Sequence, residues 1–489
     1  MTRFWAEHRL HLIRRLPHLF GHFKGLTMRP PYSSTPADKA AGRWTRPTAV
    51  AALLLALPIL WSCGRPDGSG NAQAAGSATT PDLCAGLVTD KAAHPPASSP
   101  RPAKGAAFKD PAFGARVIRI TDVQADFGAK IIKPLYPTVP AWNADESRLL
   151  LWVRGKGHAL FDGRSYQFIS LLQVQPSDIE QLYWDPQDPD VLWYNYAWEM
   201  GGRSLRQLTR YQVSTGQRSV VYDYPDAGKP RAFDVDNGGD PQYPSWDMKL
   251  WGVRLEMSKA SEKFSLNLDH RHDRQPRVTE GQRVINDGPT PQACPSGRCM
   301  WAPDREGSRL VDPKTLQTVK RLRLQGYEHG NLGMNAAGQD FFAAVQFDNQ
   351  PNGTLVVENL QTGEVKALIG PSTGYPYPPT STHLSAVAFK APGWVAVSAV
   401  GKPGRGRPLD QEVMLAHVDS GKVCRVAHHH SYAKEGQWGY WAEPHITISP
   451  SGTRMVFASD WQNSDAVDVY VVELPAYRPA GSSIPGNKP

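Results

Sequence analysis

A short turn motif that recurs along the sequence places the strongest constraint on the fold. Each copy lies between two short runs of alternating apolar residues, a pattern that indicates a β-hairpin. Successive copies are 41 to 59 residues apart, a spacing typical of domains built from β repeats. The seven copies are centred on Asp145, Asp188, Asp247, Ser296, Ala337, Pro392 and Ser451.

A second hairpin follows several of these turns, as in "YQVSTGQRSVV" and "VENLQTGEVKALI". Each unit therefore has four strands, and four strands at this spacing are the signature of a β-propeller blade. We predict an all-β, seven-bladed β-propeller over residues 110–475. The last unit lacks a fourth strand, which the N-terminal strand "ARVIRITD" (115–122) could supply, closing the ring and removing exposed sheet edges. Two or more β-sandwich domains are the competing fold.

Residues 1–62 have the features of an export signal. "AVAALLLALPILW" is an unbroken apolar run of thirteen residues, whereas a membrane-spanning helix needs roughly 20. The run ends in "LWSC", which resembles the lipobox of bacterial lipoproteins and implies lipidation at Cys63. We therefore expect a bacterial cell-envelope lipoprotein facing the periplasm or the cell surface, attached to the membrane through its N-terminal lipid only. An ordinary secretory signal is the alternative, and Met28 could be the true start.

The basic charge of the chain is concentrated in the same N-terminal segment. Residues 1–62 contain nine Lys/Arg and two acidic residues, which is +7 of the formal net charge of +8. The remainder is nearly neutral, so the charge does not indicate a nucleic-acid partner. Residues 63–109 are rich in Gly, Pro, Ala and Ser and predict a flexible tether. We expect residues 476–489 to be a disordered tail and the protein to be a monomer.

Export changes the interpretation of the remaining cysteines, because disulfides persist in oxidising compartments. Cys294 and Cys299 lie across a turn in "CPSGRC", and we favour a disulfide between them. A metal-binding pair is the alternative, although no second cysteine pair of matching spacing exists. Cys84 and Cys424 could pair or could both be free.

The blade order assigns residues to a face of the propeller. The innermost strand comes first in each blade, so the loops leading into it, here called leading loops, lie on one face with the loops between second and third strands. We call this the upper face. His329, His383 and His445 lie at the starts of inner strands in three consecutive blades. They can converge at the central channel and hold a transition metal, although a lone loop histidine is usually only a polar surface residue.

Aromatic and charged side chains are concentrated in the other upper-face loops. Aromatic rings stack on sugar faces and arginine binds carboxylates through two hydrogen bonds, so an acidic polysaccharide or oligosaccharide is the predicted ligand. The substrate-binding candidates are Trp198, Trp438, Tyr440, Trp441 and Trp461. The candidates for the catalytic base, acid or carboxylate-neutralising cation are His158, Tyr194, Tyr196, Arg203 and Arg254, with Arg154 as a further cation.

The last two units resemble a known group of propellers. "HLSAVAFKAPGWVAVS" and "EPHITISPSGTRMVFASDW" resemble the final blades of the oligogalacturonate-lyase type, a broad group that also resembles the ulvan-lyase propellers and the propeller of the Tol translocation system. The resemblance covers roughly residues 110–475. In oligogalacturonate lyases, histidines and a glutamine hold a manganese ion in the central site. The resemblance implies one manganese-like divalent metal, and no other cofactor, on His383 and His445, with His329 and Gln437 as further ligands.

Two functional hypotheses follow. The first is an exported propeller that binds, and cleaves by β-elimination, a uronic-acid polysaccharide; this reaction needs a cation for the carboxylate, a base and an acid. The second is a non-catalytic envelope propeller that scaffolds protein partners. A lyase requires His383, His445 and an arginine or tyrosine to come within a few Å of one another, whereas a scaffold leaves the imidazoles scattered around the rim.

Overall fold

Seven β-sheets contain most of the regular structure in the described part of the chain. The computed structural model describes residues 82–479 except 201–202, 225–231, 237–240, 258–260, 270–275, 287–289, 305–306, 325–328, 348 and 377–380. The predicted export signal, Cys63 and the predicted tail from residue 480 lie outside the described residues. Within these residues no helix has the length and apolar character needed to cross a membrane.

The first three blades follow one another along the chain. Two strands precede them and belong to the last blade: β1 (Ala107–Lys109) and β2 (Arg116–Arg119). Blade 1 contains β3 (Ile132–Lys133), β4 (Arg148–Val153), β5 (Gly157–Asp162) and β6 (Phe168–Leu171). Blade 2 contains β7 (Tyr183–Trp184), β8 (Val191–Met200), β9 (Arg203–Gln212) and β10 (Arg218–Asp223). Blade 3 contains β11 (Ala232–Asp236), β12 (Leu250–Met257), β13 (Ser261–Asp269), β14 (Arg277–Glu280) and β15 (Val284–Asn286).

The remaining four blades continue in the same order. Blade 4 contains β16 (Gln292–Ala293), β17 (Met300–Asp304), β18 (Gly307–Val311) and β19 (Thr318–Arg321). Blade 5 contains β20 (Gly330–Met334), β21 (Asp340–Gln346), β22 (Thr354–Asn359) and β23 (Val365–Ile369). Blade 6 contains β24 (His383–Ser385), β25 (Trp394–Ala399), β26 (Glu412–His417) and β27 (Val423–His428). Blade 7 contains β28 (Thr447–Ile448), β29 (Arg454–Ser459) and β30 (Asp468–Glu473) together with β2 and β1.

In the described part of the chain, four short helical segments connect the strands. They are the α-helix α1 (Val123–Phe127) and three 3-10 turns, Pro371–Thr373, Ala433–Glu435 and Gly439–Ala442. α1 begins at Asp122, whose side chain accepts a hydrogen bond from the Ala125 amide, and ends at Gly128 in the left-handed conformation. Two of the 3-10 turns lie in the leading loop of blade 7, where they shape the site described below.

The ring is closed by the N-terminal strand. β2 pairs antiparallel with β30, in a register that places Arg116 opposite Glu473 and Arg119 opposite Tyr470. The buried carboxylate of Asp468 fixes this closure, because it accepts hydrogen bonds from the Arg119 guanidinium at 2.8 Å and from the Thr121 hydroxyl at 2.9 Å. The predicted seven-bladed propeller, closed by an N-terminal strand in the last blade, is confirmed, and β1 adds a fifth strand to that blade.

Buried aromatic side chains fill the spaces between blades. Trp142 and Trp184 are almost fully buried, and each indole N–H has a backbone partner. The Trp184 indole donates to the Ala141 carbonyl at 3.1 Å, so a side chain of blade 2 is bonded to the inner segment of blade 1. Burying a large ring whose polar atom is satisfied stabilises the blade interface without leaving an unpaired donor.

The second half of the predicted tether is fastened to the body of the propeller. Residues 82–106, here called the strap, carry Cys84, which forms a disulfide with Cys424 on β27. The Arg425 amide donates to the Val88 carbonyl at 2.8 Å, and the Trp461 indole donates to the Ser99 carbonyl at 2.9 Å. Composition predicted a flexible segment because the strap has few large apolar residues, but backbone hydrogen bonds and a covalent bond do not appear in composition.

The predicted disulfide between Cys294 and Cys299 is also present. It closes the hairpin turn between β16 and β17, on the face opposite the leading loops. Asp340 lies close enough to both sulfur atoms to resemble a metal-binding group. Because the two sulfurs are bonded to each other, neither is available as a thiolate ligand.

Candidate functional site

Three histidines from consecutive blades meet at the upper end of the central channel. His329 immediately precedes β20, His383 begins β24 and His445 lies two residues before β28. The rings of His329 and His383 are stacked with centroids 4.2 Å apart, and the centroids of His383 and His445 are 4.7 Å apart. The predicted convergence of these three side chains is confirmed.

Glu443 joins two of these histidines in a buried group that we call the central cluster: His383, Glu443 and His445. Oε2 of Glu443 is 3.9 Å from Nδ1 of His383 and 3.9 Å from Nε2 of His445. One donor atom from each residue lies within 4.8 Å of the other two. Such an arrangement of two nitrogens and one oxygen could bind a metal ion.

Several polar atoms of the central cluster lack a hydrogen-bond partner. Within the described part of the chain, Nδ1 of His383, both ring nitrogens of His445 and Oε1 of Glu443 are buried and have none. A buried polar atom without a partner costs about 1–3 kcal/mol. Two of them, Nδ1 of His383 and Nε2 of His445, are each 3.9 Å from the same oxygen of Glu443 and indicate a place where a further group would satisfy them.

Burial keeps both imidazoles of the central cluster in the neutral form. Burial lowers the pKa of His383 well below its usual value, and the neighbouring His329 and Lys133 act in the same direction. Burial and the nearby Lys133 likewise lower the pKa of His445. Burial raises the pKa of Glu443, opposed mainly by the ammonium of Lys434, which is 3.7 Å from Oε1. Neutral imidazole is the form that binds metals, and a cation would favour the ionised carboxylate.

The leading loop of blade 7, residues 429–446, presents His445 in a strained conformation. His445 has a φ of 45°, in the left-handed region that residues other than glycine seldom adopt. Contacts with the loop before β30 hold the segment in place: the Gln437 amide donates to Oδ1 of Asn463 at 2.7 Å, and the Trp438 indole to the Ser464 carbonyl at 2.8 Å. Strained residues persist only where the surroundings fix them, and they are concentrated at functional sites.

A second carboxylate, Glu180, lies on the other side of His445. Its Oε1 is 3.7 Å from Nδ1 of His445 and accepts a hydrogen bond from the Tyr440 hydroxyl at 2.8 Å. The ammonium of Lys133 is 3.4 Å from the same oxygen and 4.4 Å from the centre of the Tyr440 ring. Burial lowers the pKa of Lys133. Tyr136 presents its ring edge-on at 5.9 Å from the ring of His383 and 5.7 Å from that of His445.

Polar side chains also link the inner parts of blades 3, 5 and 6. The side chain of Gln242 donates to the Gly330 carbonyl at 3.1 Å and accepts from the Asn331 amide at 2.8 Å. The Asn331 side chain in turn accepts from the Ala386 amide at 2.6 Å. Because the histidines lie at the starts of inner strands, where the leading loops end, we expect ligands to approach the central cluster from the upper face.

An aromatic platform lies beside the central cluster on the upper face. Trp441 stacks on Trp152 with ring centroids 5.4 Å apart, and the guanidinium of the exposed Arg154 lies 5.1 Å from the Trp441 ring. Tyr440 contacts both Trp441 and His445, with ring centroids at 5.6 and 4.9 Å. Of the aromatic residues predicted to bind substrate, Tyr440 and Trp441 are therefore next to the convergent histidines.

Other predicted site residues have partners of their own. Nε2 of His158 is 2.8 Å from the Ile179 carbonyl, and burial lowers the pKa of His158 to about 4. Arg254 is bonded through two nitrogens to Asp236, at 2.8 and 2.6 Å. The side chain of Gln437 is exposed, and its amide nitrogen donates to the Asn463 and Ser464 carbonyls.

The remaining candidates lie in or near the blade cores. Tyr194 on β8 is buried, and Tyr196 on the same strand packs against the main hydrophobic core. Trp461 is buried between Tyr470 and His430, with ring centroids at 4.9 and 4.2 Å. Trp198 on β8 and Arg203 on β9 have side chains outside the described residues.

Sequence reasoning missed Glu443, Glu180 and Lys133. All three lie in or just before an inner strand: Lys133 in β3, Glu180 before β7 and Glu443 before β28. The histidines were identified by the same position. Applying this criterion to acidic residues and lysines would have found them. Glu443 also precedes His445 by only two residues in "AEPHITIS".

A separate surface cavity of about 780 Å³ lies on the lower face, at the seam between blades 7 and 1. Arg116, Arg164, Tyr166, Glu473 and Tyr477 contribute to its lining. These residues belong to the hairpin ends of the strands, whereas the histidines lie at the opposite ends. This cavity is thus distinct from the central cluster.

Because several buried histidines are neutral in the folded protein, we expect the fold to lose stability in acid. Burial lowers the pKa of His158 and His430 to about 4 and that of His429 to about 3, from an ordinary 6.5. Below pH 6.5 the unfolded chain takes up protons that the folded chain cannot, so the stability is fully present above that pH and is lost as the pH falls. At pH 5 each histidine should have lost about 2 kcal/mol. Burial raises the pKa of Asp460 to about 6, so the folded chain takes up this proton before the unfolded chain does. Protonation of Asp460 therefore offsets part of the loss of stability that the histidines cause.

The measurement is the free energy of unfolding in urea at pH 7 and pH 5. The variant His429→Gln tests the cause, since an amide can replace both bonds of the neutral ring, from the Ser431 amide and to the Ala399 carbonyl. It should reduce the difference between the two pH values by about 2 kcal/mol. An unchanged difference would show that His429 does not contribute to the pH dependence.

Comparisons with known proteins bear on the fold. No protein-family model matches the sequence, and no curated protein matches it. An oligogalacturonate lyase solved in complex with manganese is 15% identical, with a TM-score of 0.52 over 76% of this chain and 99% of that chain. An oligogalacturonate lyase from Vibrio parahaemolyticus is 12% identical, with a TM-score of 0.54 over 76% of this chain and 99% of that chain. This chain is therefore a seven-bladed propeller structurally similar to those of oligogalacturonate lyases.

Proposed function

We propose that this propeller is a metal-dependent lyase that cleaves a uronic-acid polysaccharide or oligosaccharide by β-elimination. The observation that carries the proposal is the central cluster, in which a carboxylate lies beside two buried imidazole nitrogens, Nδ1 of His383 and Nε2 of His445, that have no hydrogen-bond partner. The fold shared with a lyase solved in complex with manganese supports the same activity. The histidines converge rather than being scattered around the rim, which favours a lyase over a scaffold.

The residues of the central cluster fit a divalent metal such as manganese. Metal–nitrogen and metal–oxygen bonds of about 2 Å require donor atoms roughly 3–4 Å apart, and the two pairs that Glu443 Oε2 forms with the imidazole nitrogens are each 3.9 Å apart. Imidazole and carboxylate donors suit first-row divalent metals. We assign the third donor to Glu443 rather than to Gln437, whose exposed side chain is bonded to the loop of Asn463 and Ser464 and is not part of the central cluster.

A bound metal would neutralise the substrate carboxylate and so make the adjacent ring proton easier to remove. We propose that Nε2 of His329 is the base that removes this proton. Nδ1 of His329 is 2.7 Å from the Thr382 carbonyl, which can only accept, so Nδ1 carries the hydrogen and Nε2 has the lone pair. As the proton moves to Nε2, its bonding electrons form the new carbon–carbon double bond, the glycosidic C–O bond breaks and the leaving oxygen takes a proton from water.

The aromatic platform would hold the neighbouring sugar. Tyr440 and Trp441 offer ring surfaces next to the central cluster, and Arg154 offers a guanidinium to a second uronate carboxylate. A chain of uronic acids places a carboxylate on each successive residue. A substrate of at least two such residues would therefore use both the central cluster and Arg154.

We further propose that the protein acts in a bacterial cell envelope, attached through a lipid on Cys63. The two disulfides, Cys84–Cys424 and Cys294–Cys299, support an oxidising compartment. Metabolic labelling of the full chain with a radioactive fatty acid tests the lipid. Label should be incorporated into the native protein and not into Cys63→Ser.

The activity is tested on the full chain with a panel of uronic-acid polymers and oligomers. Absorbance of the unsaturated product should appear on at least one of them, disappear with a chelator and return with Mn²⁺. Activity that a chelator leaves unchanged would contradict the metal site. No product on any polymer, with and without added Mn²⁺, would contradict the lyase and favour the scaffold.

A further inference from the structure

We infer that Glu180 is a positioning residue for the central cluster: it holds the hydrogen of His445 on Nδ1, so that Nε2 presents its lone pair toward Glu443. The inference deepens the proposed function and rests on it for the identity of the bound group. The arrangement of the residues themselves is independent of that identity.

His445 is placed between two carboxylates. Nδ1 is 3.7 Å from Oε1 of Glu180, and Nε2 is 3.9 Å from Oε2 of Glu443. The ring is fully buried, and the strained backbone of His445 fixes the direction in which it projects. The two ring nitrogens thus face different acidic groups on opposite sides.

A neutral imidazole has one N–H and one lone pair, so the two sides of the ring cannot be equivalent. With the hydrogen on Nδ1, the N–H faces the Glu180 carboxylate 3.7 Å away, which favours this tautomer by charge rather than through a hydrogen bond, and Nε2 would offer a lone pair to a metal held with Glu443 and His383. With the hydrogen on Nε2, a lone pair would face the Glu180 carboxylate and the N–H would occupy the metal position. Metal-binding histidines generally have a carboxylate or carbonyl acceptor on the other nitrogen, which selects the tautomer and orients the ring.

Glu180 is itself held by groups from two other blades. The Tyr440 hydroxyl, from the leading loop of blade 7, donates to Oε1 at 2.8 Å. The Lys133 ammonium, from β3 of blade 1, is 3.4 Å from the same oxygen. Glu180 comes from the leading loop of blade 2, so segments of three different blades meet at one carboxylate oxygen beside His445.

The carbonyl of Leu135 is the competing acceptor, because it also lies near the His445 ring and acts to raise its pKa. If Leu135 holds the Nδ1 hydrogen, removing Glu180 will leave the tautomer unchanged. If Glu180 holds it, removing the carboxylate will release the hydrogen and weaken metal binding. The two possibilities therefore differ in a spectroscopic signal and not only in activity.

The lower face supplies a matched control. Glu473 accepts a hydrogen bond from the Tyr166 hydroxyl at 2.9 Å and is paired with Arg116, which reproduces the tyrosine–glutamate–cation pattern around Glu180. The two glutamate side chains are also buried to a similar extent, with 11% and 14% exposure. Glu473→Ala should therefore disturb the packing about as much as Glu180→Ala does, but without affecting the histidines.

The experiment compares Glu180→Ala, Glu180→Gln and Glu473→Ala in the full chain. Mn²⁺ affinity is measured by the electron spin resonance signal of free Mn²⁺. Glu180→Ala should bind Mn²⁺ about 10–100-fold more weakly than the native protein. Glu180→Gln should be intermediate, since its amide oxygen keeps only a partial negative charge, and Glu473→Ala should bind as the native protein does.

Long-range nitrogen–proton spectra of the metal-free, ¹⁵N-histidine-labelled protein report the tautomer directly. His445 is assigned by the signals missing in His445→Asn. Its hydrogen should be on Nδ1 in the native protein and in Glu473→Ala, and should leave Nδ1 in Glu180→Ala. An Nδ1 hydrogen that persists in Glu180→Ala would overturn the inference.

The two readouts separate the inference from the proposed function. A tautomer that depends on Glu180 in a protein that binds no Mn²⁺ would support the positioning role and contradict the metal site. Native Mn²⁺ binding that Glu180→Ala leaves unchanged would support the metal site and overturn the positioning role.

Discussion

His445→Asn should lose at least about 100-fold in Mn²⁺ affinity, more than the loss of an outer partner of a ligand costs. The change removes one of three donor atoms, and the other two, on His383 and Glu443, do not come closer together to compensate. Asparagine is the appropriate replacement because the backbone φ at this position is 45°, a region that asparagine tolerates and alanine does not. The backbone is then preserved while the imidazole is lost.

The affinity is measured as the stabilisation that Mn²⁺ gives against urea. A metal at 100 times its dissociation constant stabilises the native protein by about 2.7 kcal/mol, and this increment should disappear in His445→Asn and in His383→Ala. His417→Ala is the control, since His417 on β26 bonds to Ser420 away from the site. Equal Mn²⁺ stabilisation of His445→Asn and the native protein would place the metal elsewhere.

Removing the disulfide of the strap should destabilise the protein by about 6 kcal/mol if it acts by restricting the unfolded chain. Cys84 and Cys424 are 340 residues apart, so their bond closes a loop over most of the chain. Both sulfurs are buried, and the double variant Cys84→Ala, Cys424→Ala adds only a small cavity. The free energy of unfolding in urea measures the loss.

The second disulfide provides the internal comparison. Cys294 and Cys299 are 5 residues apart, and the same chain-entropy argument gives about 2 kcal/mol for this short loop. The loss for Cys84→Ala, Cys424→Ala should therefore be roughly three times that for Cys294→Ala, Cys299→Ala. Equal losses would show that the strap bond does not stabilise by restricting the unfolded chain.

The architecture could be predicted because a propeller repeats its local signals. Each blade has its own hairpin turn, and the incomplete last unit together with the unassigned strand at 115–122 indicated ring closure. The strap could not be predicted in this way. Its attachment depends on single contacts, such as the Val88 carbonyl with the Arg425 amide, that leave no periodic pattern.

The site was only partly predictable for a similar reason. His329, His383 and His445 occupy equivalent places in three blades, so symmetry brings them together. Glu180 comes from blade 2 and Lys133 from blade 1, on the other side of the ring closure from His445. Their contact depends on how the blades are placed around the ring, which the repeat pattern does not specify. Which carboxylate faces which nitrogen of His445 is set by loop conformation, including a left-handed backbone that no sequence rule specifies.

The most direct test of the metal site is anomalous diffraction from crystals soaked in Mn²⁺. One anomalous peak should lie within bonding distance, about 2.0–2.3 Å, of His383 Nδ1, His445 Nε2 and Glu443 Oε2. A peak bound by other residues, or an empty central cluster at Mn²⁺ concentrations that stabilise the protein in solution, would contradict it.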